Sequence, residues 1–355
     1  MTFISFIIPF YNCSTYIGDC IESISAANIE EPTSFEIIIV DDFSSPHESL
    51  SLAKTAKFFE HLDIKIIRHE CNLGLSAARN SGIEKSIGDY IWFVDADDFF
   101  FPSALAKAIR NLKNLLPDAL LIDSITSGDT PEKILTEYDL PKNNLTNLSS
   151  KDNSDYIRRL SFYAWRMVVK RNIWGNLKFP RGLYMEDIAT MPVALIRCHT
   201  AFYHAEPVIA YRQHSQSIMK TWSEKKTQDF LHAGKHLHTE LTKTGRLDDP
   251  DVLNAMIGLT YNLYWIAVND VTKHRLEHRT QVELKLSRLY RSYFPYHEVR
   301  FLRNMRQHRG TPLGAIMLFA ALRAPVIVRL VMGITQSTGY QAFKRMISRR
   351  SAKPI

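Results

Sequence analysis

Cysteine is scarce in this 355-residue chain: Cys13, Cys20, Cys71 and Cys198 form no Cys-x-x-Cys pair and show no metal-ligand spacing with histidine. Neither a disulfide framework nor a zinc site is indicated, and a reducing cytosol is the expected compartment. Long apolar runs are also missing. The ten-residue stretch Leu313 to Leu322 is followed by Arg323, Pro325 and Arg329, too short and too interrupted to span a bilayer. The apolar start through Pro9 lacks a basic leader and a small-residue cleavage site, so it reads as a first buried strand rather than a signal peptide. No Gly-x-Gly-x-x-Gly follows that strand and no Walker A sequence occurs, which argues against dinucleotide and P-loop chemistry. Acidic residues are absent from Val299 to Ile355, where eleven basic residues stand.

What is present is an ordinary globular composition, 45% apolar and 23% charged, with the charge unevenly spread. Residues 1 to 220 carry 22 Lys and Arg against 27 Asp and Glu, a net −5, whereas residues 221 to 355 are at +12. The two parts are therefore expected to face different partners. The first 125 residues alternate between β-rich runs (Phe3 to Pro9, Phe35 to Val40, Asp63 to Arg68, Tyr90 to Val94, Ala119 to Asp123) and helical segments (Tyr16 to Ser25, His47 to Glu60, Leu75 to Ser86, Pro102 to Leu115). That alternation predicts an α/β fold with a mostly parallel sheet covered by helices. Residues 125 to 155 are polar and rich in Asn, Ser, Thr and Pro, and read as an irregular excursion. Long helices are expected beyond Trp222. The division this suggests is a catalytic domain over 1–220, a helical extension over 221–298 and a basic amphipathic tail over 299–355.

Two groups of carboxylates end two of the predicted strands: Asp41-Asp42 after Ile37-Ile-Ile-Val40, and Asp95, Asp97 and Asp98 after Ile91-Trp-Phe-Val94. Ligands of open α/β sheets bind outside the carboxyl ends of strands, so both groups are expected on one rim. Crowded carboxylates need a cation or a donor network, and hard oxygen ligands suit Mg2+ or Mn2+. With 20 aspartates, about one Asp-x-Asp is expected by chance, and Asp249-Pro-Asp251 is such a decoy, read as a solvated loop. The strand in front of Asp95 is what separates the two cases. Between the acidic groups lies Asn72-Leu-Gly-Leu-Ser-Ala-Ala-Arg79-Asn80, a loop entering a helix, where Arg79 is placed to reach a phosphate.

Taken in order, Pro9-Phe-Tyr11-Asn12, Asp41-Asp42-Phe-Ser-Ser45, the Asn72 to Asn80 block, Gly88 to Asp98 and Glu186-Asp187 resemble glycosyltransferase family 2 of the bacterial surface-polysaccharide type, with the GT-A fold. The series covers roughly residues 3 to 220. The resemblance implies a nucleotide-sugar site built from Pro9, Tyr11, Asn12, Asp41, Asp42, Arg79, Asp95 and Arg212, with Tyr11 stacking on the base and Asp42 bonding base or ribose. It implies that Asp97, with Asp95 and His214 as further candidates, holds Mn2+ or Mg2+. Asp187 would be the general base and Glu186 its orienting partner. One base suffices for a single displacement, so inversion is expected. The implied activity moves a sugar, hexosyl or N-acetylhexosaminyl, from a UDP-sugar to a glycan or lipid-linked glycan acceptor in capsule or lipopolysaccharide synthesis.

Other residues invite plainer readings. Trp165 and Tyr184 are candidates for a sugar-stacking platform, although aromatics at that spacing usually belong to the core. His232, His236 and His238 are expected to lack a carboxylate or cysteine partner and read as an exposed helix face rather than a metal site. The basic tail alternates charge with apolar stretches and no nucleic-acid motif accompanies it, so an anionic membrane surface is the expected partner and nucleic acid is not. The chain is thus expected to be cytoplasmic and peripheral on the inner face of the plasma membrane. A haloacid-dehalogenase-like phosphotransferase also carries Asp-x-Asp after a strand, and a non-catalytic membrane adaptor needs only the tail. Phe99, where the former expects Thr or Val, and the intact acidic series weigh against both.

Overall fold

A computed structural model describes residues 2–27, 34–128, 134–135, 142–158, 162–213, 222–274 and 278–295. The first half follows the expected alternation: β1 (Thr2–Phe10), α1 (Ser14–Ser25), β2 (Ser34–Asp41), α2 (Pro46–Phe58), β3 (Ile64–Arg68), α3 (Leu75–Lys85), β4 (Tyr90–Phe93), β5 (Phe99–Phe100) and α4 (Pro102–Leu115). It continues through β6 (Ala119–Gly128), β7 (Ile134–Leu135), β8 (Leu145–Asn147), α5 (Ser150–Arg158), β9 (Met167–Lys170), α6 (Arg171–Trp174), α7 (Glu186–Ile196) and β10 (Thr200–Gln213). The helices α8 (Glu224–Lys243), α9 (Pro250–Lys273) and α10 (Arg279–Tyr293) follow.

The strands form one mixed sheet in the order β3-β2-β1-β4-β9-β6-β10-β5, with β7 on β6 and β8 on β10. The long ladders β1 with β2, β2 with β3, β1 with β4 and β6 with β10 are parallel; the short β9 and β5 run antiparallel to their neighbours. The strands at the centre are apolar at successive positions because both faces are covered. Ile4, Phe6, Ile8 and Phe10 of β1 join Ile17, Ile21 and Ile24 of α1 in one buried cluster. On the other face α3 packs so close that a Cβ at Gly82 would overlap Ile7. Gly74, the residue before α3, has φ +85°, a left-handed conformation that glycine adopts without strain.

Local signals set several ends. The Ser45 hydroxyl accepts from Glu48 N–H and Pro46 opens α2, so Ser45, rather than Asp41 or Asp42, caps that helix. Asp249 does the same for α9, its Oδ1 accepting from Asp251 N–H at 2.8 Å with Pro250 at the first position. The decoy Asp249-Pro-Asp251 is thus a helix start and not the solvated loop expected. The stretch 125–155 also departs from expectation, since β6 runs on to Gly128 and β8 pairs with β10. Short polar strands fixed by a distant partner carry no pattern of their own.

The chain divides into two compact units, residues 1–259 and 260–355. The first holds the whole sheet, and α8 packs on α7 within it. In the second, Tyr264, Tyr290 and Phe294 are buried, and the Tyr290 ring contacts the other two. No helix among the described residues is long and apolar enough to cross a membrane. The tail over 299–355 lies outside the described residues.

Candidate active site

Three loops meet at the carboxyl ends of β1, β2 and β4. The loop after Pro9 and Phe10 places Asn12 at φ 48°, a left-handed conformation that asparagine tolerates. Asn12 N–H donates to Ser44 Oγ at 3.0 Å and Asn12 Oδ1 accepts from Ser45 N–H at 2.9 Å, latching the loops after β1 and β2 together. Two large rings stand out from this latch, Tyr11 at 54% exposed and Phe43 at 48%. Phe43 was not flagged by any sequence pattern, yet it holds φ 65°, a costly conformation for a bulky residue, and the Arg68 guanidinium lies 5.8 Å from its ring centre.

Asp41 and Asp42 both turn inward. Asp41 accepts from Ser44 N–H at 2.8 Å, Ser49 Oγ at 2.6 Å and Arg68 at 2.7 Å. Burial pushes its carboxyl up, but these hydrogen bonds and Arg68 outweigh it and hold the group below the ordinary range. Asp42 accepts from Leu73 N–H and Gly74 N–H at 2.9 and 2.7 Å and lies 2.7 Å from His69 Nδ1. His69, another residue the sequence did not single out, reaches Ser81 Oγ at 2.9 Å with its other nitrogen. Asp41 and Asp42, both expected at the nucleotide, stand at this rim and hold its loops together, each of their carboxylate oxygens accepting at least one hydrogen bond.

Arg79 turns inward. Instead of pointing to a phosphate, its guanidinium is 2% exposed and faces three carboxylates: Glu186 at 2.6 Å, Asp187 at 2.7 Å and Asp95 at 3.2 Å. The rings of Phe93 and Phe179 pack on it at 5.9 and 5.4 Å. A helix-start arginine this deep is drawn inward because buried carboxylates need a counter-charge. Glu186 and Asp187 open α7, where the helix end also favours negative charge. Asp187 is 19% exposed, and its second oxygen accepts from Ala164 N–H at 3.1 Å. Burial, and next the neighbouring Asp187, push the Glu186 carboxyl well above the ordinary range against the pull of Arg79.

At the end of β4, burial raises Asp95 to about 6; Arg79 opposes this while Asp97 and Asp187 add to it. Asp98 is buried and raised still more firmly, again mainly by burial, with Asp95 and Asp97 contributing. The Cys13 thiol is pushed up to about 12 by burial, then by Asp97 and Asp95. Arg212 closes this side. Its N–H donates to Asp98 at 2.8 Å, and its guanidinium pairs with Asp19 at 2.8 Å over the rings of Tyr16 and Phe99 at 4.9 and 5.2 Å. Arg212, expected at a phosphate, is thus held beside the Asp98 strand end by an ion pair and two rings, contacts that a planar guanidinium favours. His214 lies outside the described residues.

The aromatic platform is redrawn. Trp165 is 2% exposed and stacks in near-parallel fashion on Tyr163 at 5.2 Å and Tyr211 at 5.8 Å. Tyr163, beside the peptide that holds Asp187, is the exposed member at 45%. Tyr184 is half exposed, with the ammonium groups of Lys225 and Lys226 5.0 and 5.2 Å from its ring centre. On α8, His232 does have a carboxylate partner, contrary to expectation: Asp229, one helical turn earlier, lies 3.0 Å away. No group of three or more His, Cys, Asp or Glu side chains is arranged to hold a metal among the described residues.

A mixed α/β sheet whose carboxyl rim gathers carboxylates from β2, β4 and α7 defines a protein of the GT-A fold. The profile of "Glycosyl transferase family 2" matches residues 5–169. An uncharacterized glycosyltransferase of Haemophilus influenzae is 30% identical over 192 residues, 53% of this chain and 70% of that protein. The chain belongs to glycosyltransferase family 2. It is also 29% identical to the uncharacterized glycosyltransferase YibD of Escherichia coli K12 over 61% of its own length, and it spans 63% of YibD. Among solved structures, TarS 1-349 of S. aureus superposes with a TM-score of 0.66 at 18% identity, covering 90% of this chain and 87% of that one.

Proposed function

We propose that this protein is an inverting, metal-dependent glycosyltransferase that moves a sugar from a UDP-sugar to a glycan or lipid-linked glycan acceptor in surface-polysaccharide synthesis. The observation that carries the reading is the convergence on one rim of the Asp42 latch, the Asp95 to Asp98 strand end and the partly exposed Asp187. Two comparisons support it. A structure of TarS 1-349 in complex with UDP-GlcNAc shares the fold at a TM-score of 0.57, and a protein 32% identical over 111 residues is the amylovoran biosynthesis glycosyltransferase AmsB of Erwinia amylovora.

In this reading the exposed rings of Tyr11 and Phe43 flank the base. The site fits a divalent cation: the donors are hard oxygens, and Asp95, Asp97 and Asp98 crowd one strand end, where burial first and the neighbouring carboxylates next raise Asp95 and Asp98. Asp97 and Asp95 would hold it, and the remaining ligands would be diphosphate oxygens and water. Such a cation stabilises the charge that develops on the departing nucleoside diphosphate. Asp187 takes the acceptor hydroxyl proton while the new bond forms at the anomeric carbon and the bond from that carbon to the diphosphate oxygen breaks. Tyr163 and Tyr184 stand on the acceptor side. The basic tail over 299–355 would hold the enzyme at the inner face of the plasma membrane, where a lipid-linked acceptor resides.

The test is a thermal-shift panel of UDP-, GDP- and dTDP-sugars, each with and without Mn2+. Stabilisation by UDP-sugars that requires the cation is the expected result. A chain stabilised by none of them, yet releasing phosphate from simple phosphomonoesters, would replace this reading with the phosphotransferase.

A further inference from the structure

We infer that Arg79 is a positioning residue, which aims the Asp187 carboxylate at the acceptor and ties it to the donor strand end; the inference rests on the glycosyl-transfer reading above. An arginine that only stabilised the fold would need one carboxylate. Here one guanidinium gathers three, from two elements far apart in sequence: Asp95 after β4, and Glu186 and Asp187 at the start of α7. One terminal nitrogen serves the α7 pair and the other serves Asp95. The planar fork sets the angle between those two directions, and Phe93 and Phe179 hold its plane.

The consequence falls on Asp187. Its Oδ1 accepts from Arg79 and its Oδ2 from Ala164 N–H, so the carboxylate is held at both ends and its remaining lone pairs keep one direction. A base misplaced by an ångström forfeits much of its rate, and the proton leaving the acceptor oxygen reaches Asp187 only along that direction. Arg79 itself is 2% exposed and acts through the carboxylates it holds. A lysine in its place keeps one positive charge but cannot reach both Asp95 and Asp187 with a fixed fork.

The experiment is a double-mutant cycle with UDP-GlcNAc as donor, or the UDP-sugar selected by the panel, comparing wild type, Arg79→Lys, Asp187→Asn and the double variant. UDP release gives kcat and donor KM, and UDP affinity is measured separately. Arg79→Lys is expected to lower kcat about 100-fold while KM and UDP affinity stay within about threefold. In the Asp187→Asn background the same change should cost less than about threefold, because Arg79 acts through Asp187. Equal losses in both backgrounds, or a loss carried by KM or by UDP affinity, would overturn the assignment. Phe179→Leu serves if Arg79→Lys does not fold. It leaves every charge in place and frees the guanidinium plane, and a five- to tenfold loss in kcat that disappears with Asp187→Asn supports the same conclusion, whereas a loss that persists rejects it. A wild-type chain that turns over no sugar nucleotide removes the glycosyl-transfer reading itself. Turnover with an additive cycle removes only the role of Arg79.

Discussion

Glu36 and Glu186 are both buried glutamates of the sheet unit, and they differ in everything but side chain. Glu36, near the start of β2, accepts from Ser5 Oγ at 2.5 Å, Ile87 N–H at 2.7 Å, Gly88 N–H at 3.2 Å and Lys65 at 2.7 Å. Burial raises it, but Lys65 and these donors win, and its carboxyl sits below the ordinary range. Glu186, at the opposite rim, shares a single guanidinium with two other carboxylates and is pushed upward. Saturation marks a carboxylate that holds the fold, and crowding marks one placed for chemistry. The substitutions that follow set the two ends of the sheet against each other.

The largest effect belongs to the rim. Asp187→Asn should lower transfer by about a thousandfold, the middle of the range for loss of a general base, and leave UDP affinity within about threefold. Equal loss of transfer and UDP binding would move Asp187 to the donor side. At the other end, Glu36→Gln should cost about 2–3 kcal/mol in urea unfolding at pH 7, because its amide adds a donor where four donors already converge. UDP binding by the folded variant should be unchanged. A cost below about 0.5 kcal/mol would mean that the donors around Glu36 are solvated, as for an ordinary surface site.

The first half of this contrast was legible in the sequence and the second was not. Apolar runs of β1, β2 and β4 announce themselves because both faces are buried, and β2 and β4 lead into their acidic groups. β10 did not, since Glu206 and Pro207 interrupt it and the ladder to β6 shifts register between His204 and Ile209. Arg79 and Asp187 were each visible as motif residues, but 108 positions separate them, and no local pattern shows that they bond. For the same reason Arg79 was expected at a phosphate and Trp165 was a candidate for a sugar-stacking platform. Only the packed α7 shows that the arginine turns inward and that Tyr163 is the exposed ring.

The smallest effect is the sharpest test of the comparison, because the same substitution should act with opposite sign. A glutamate lowered by folding contributes stability above its unfolded pKa, near 4.5, and that contribution is lost as pH falls through the folded value. The deficit of Glu36→Gln should therefore be full at pH 7 and shrink below pH 4.5. A glutamate raised by folding behaves in reverse: its unfolded form ionises more readily than its folded form as pH passes 4.5, so wild type loses stability as pH rises from there. Glu186→Gln mimics that protonated group and can still donate to Asp187. It should match wild type near pH 4 and gain at pH 7, by about 1 kcal/mol or less given that Arg79 loses one partner and keeps two. Urea midpoints across pH 4 to 7.5 decide it. A Glu186→Gln deficit that grows toward neutral pH would show Glu186 ionised and paired, as Glu36 is, and would erase the distinction between the two ends of the sheet.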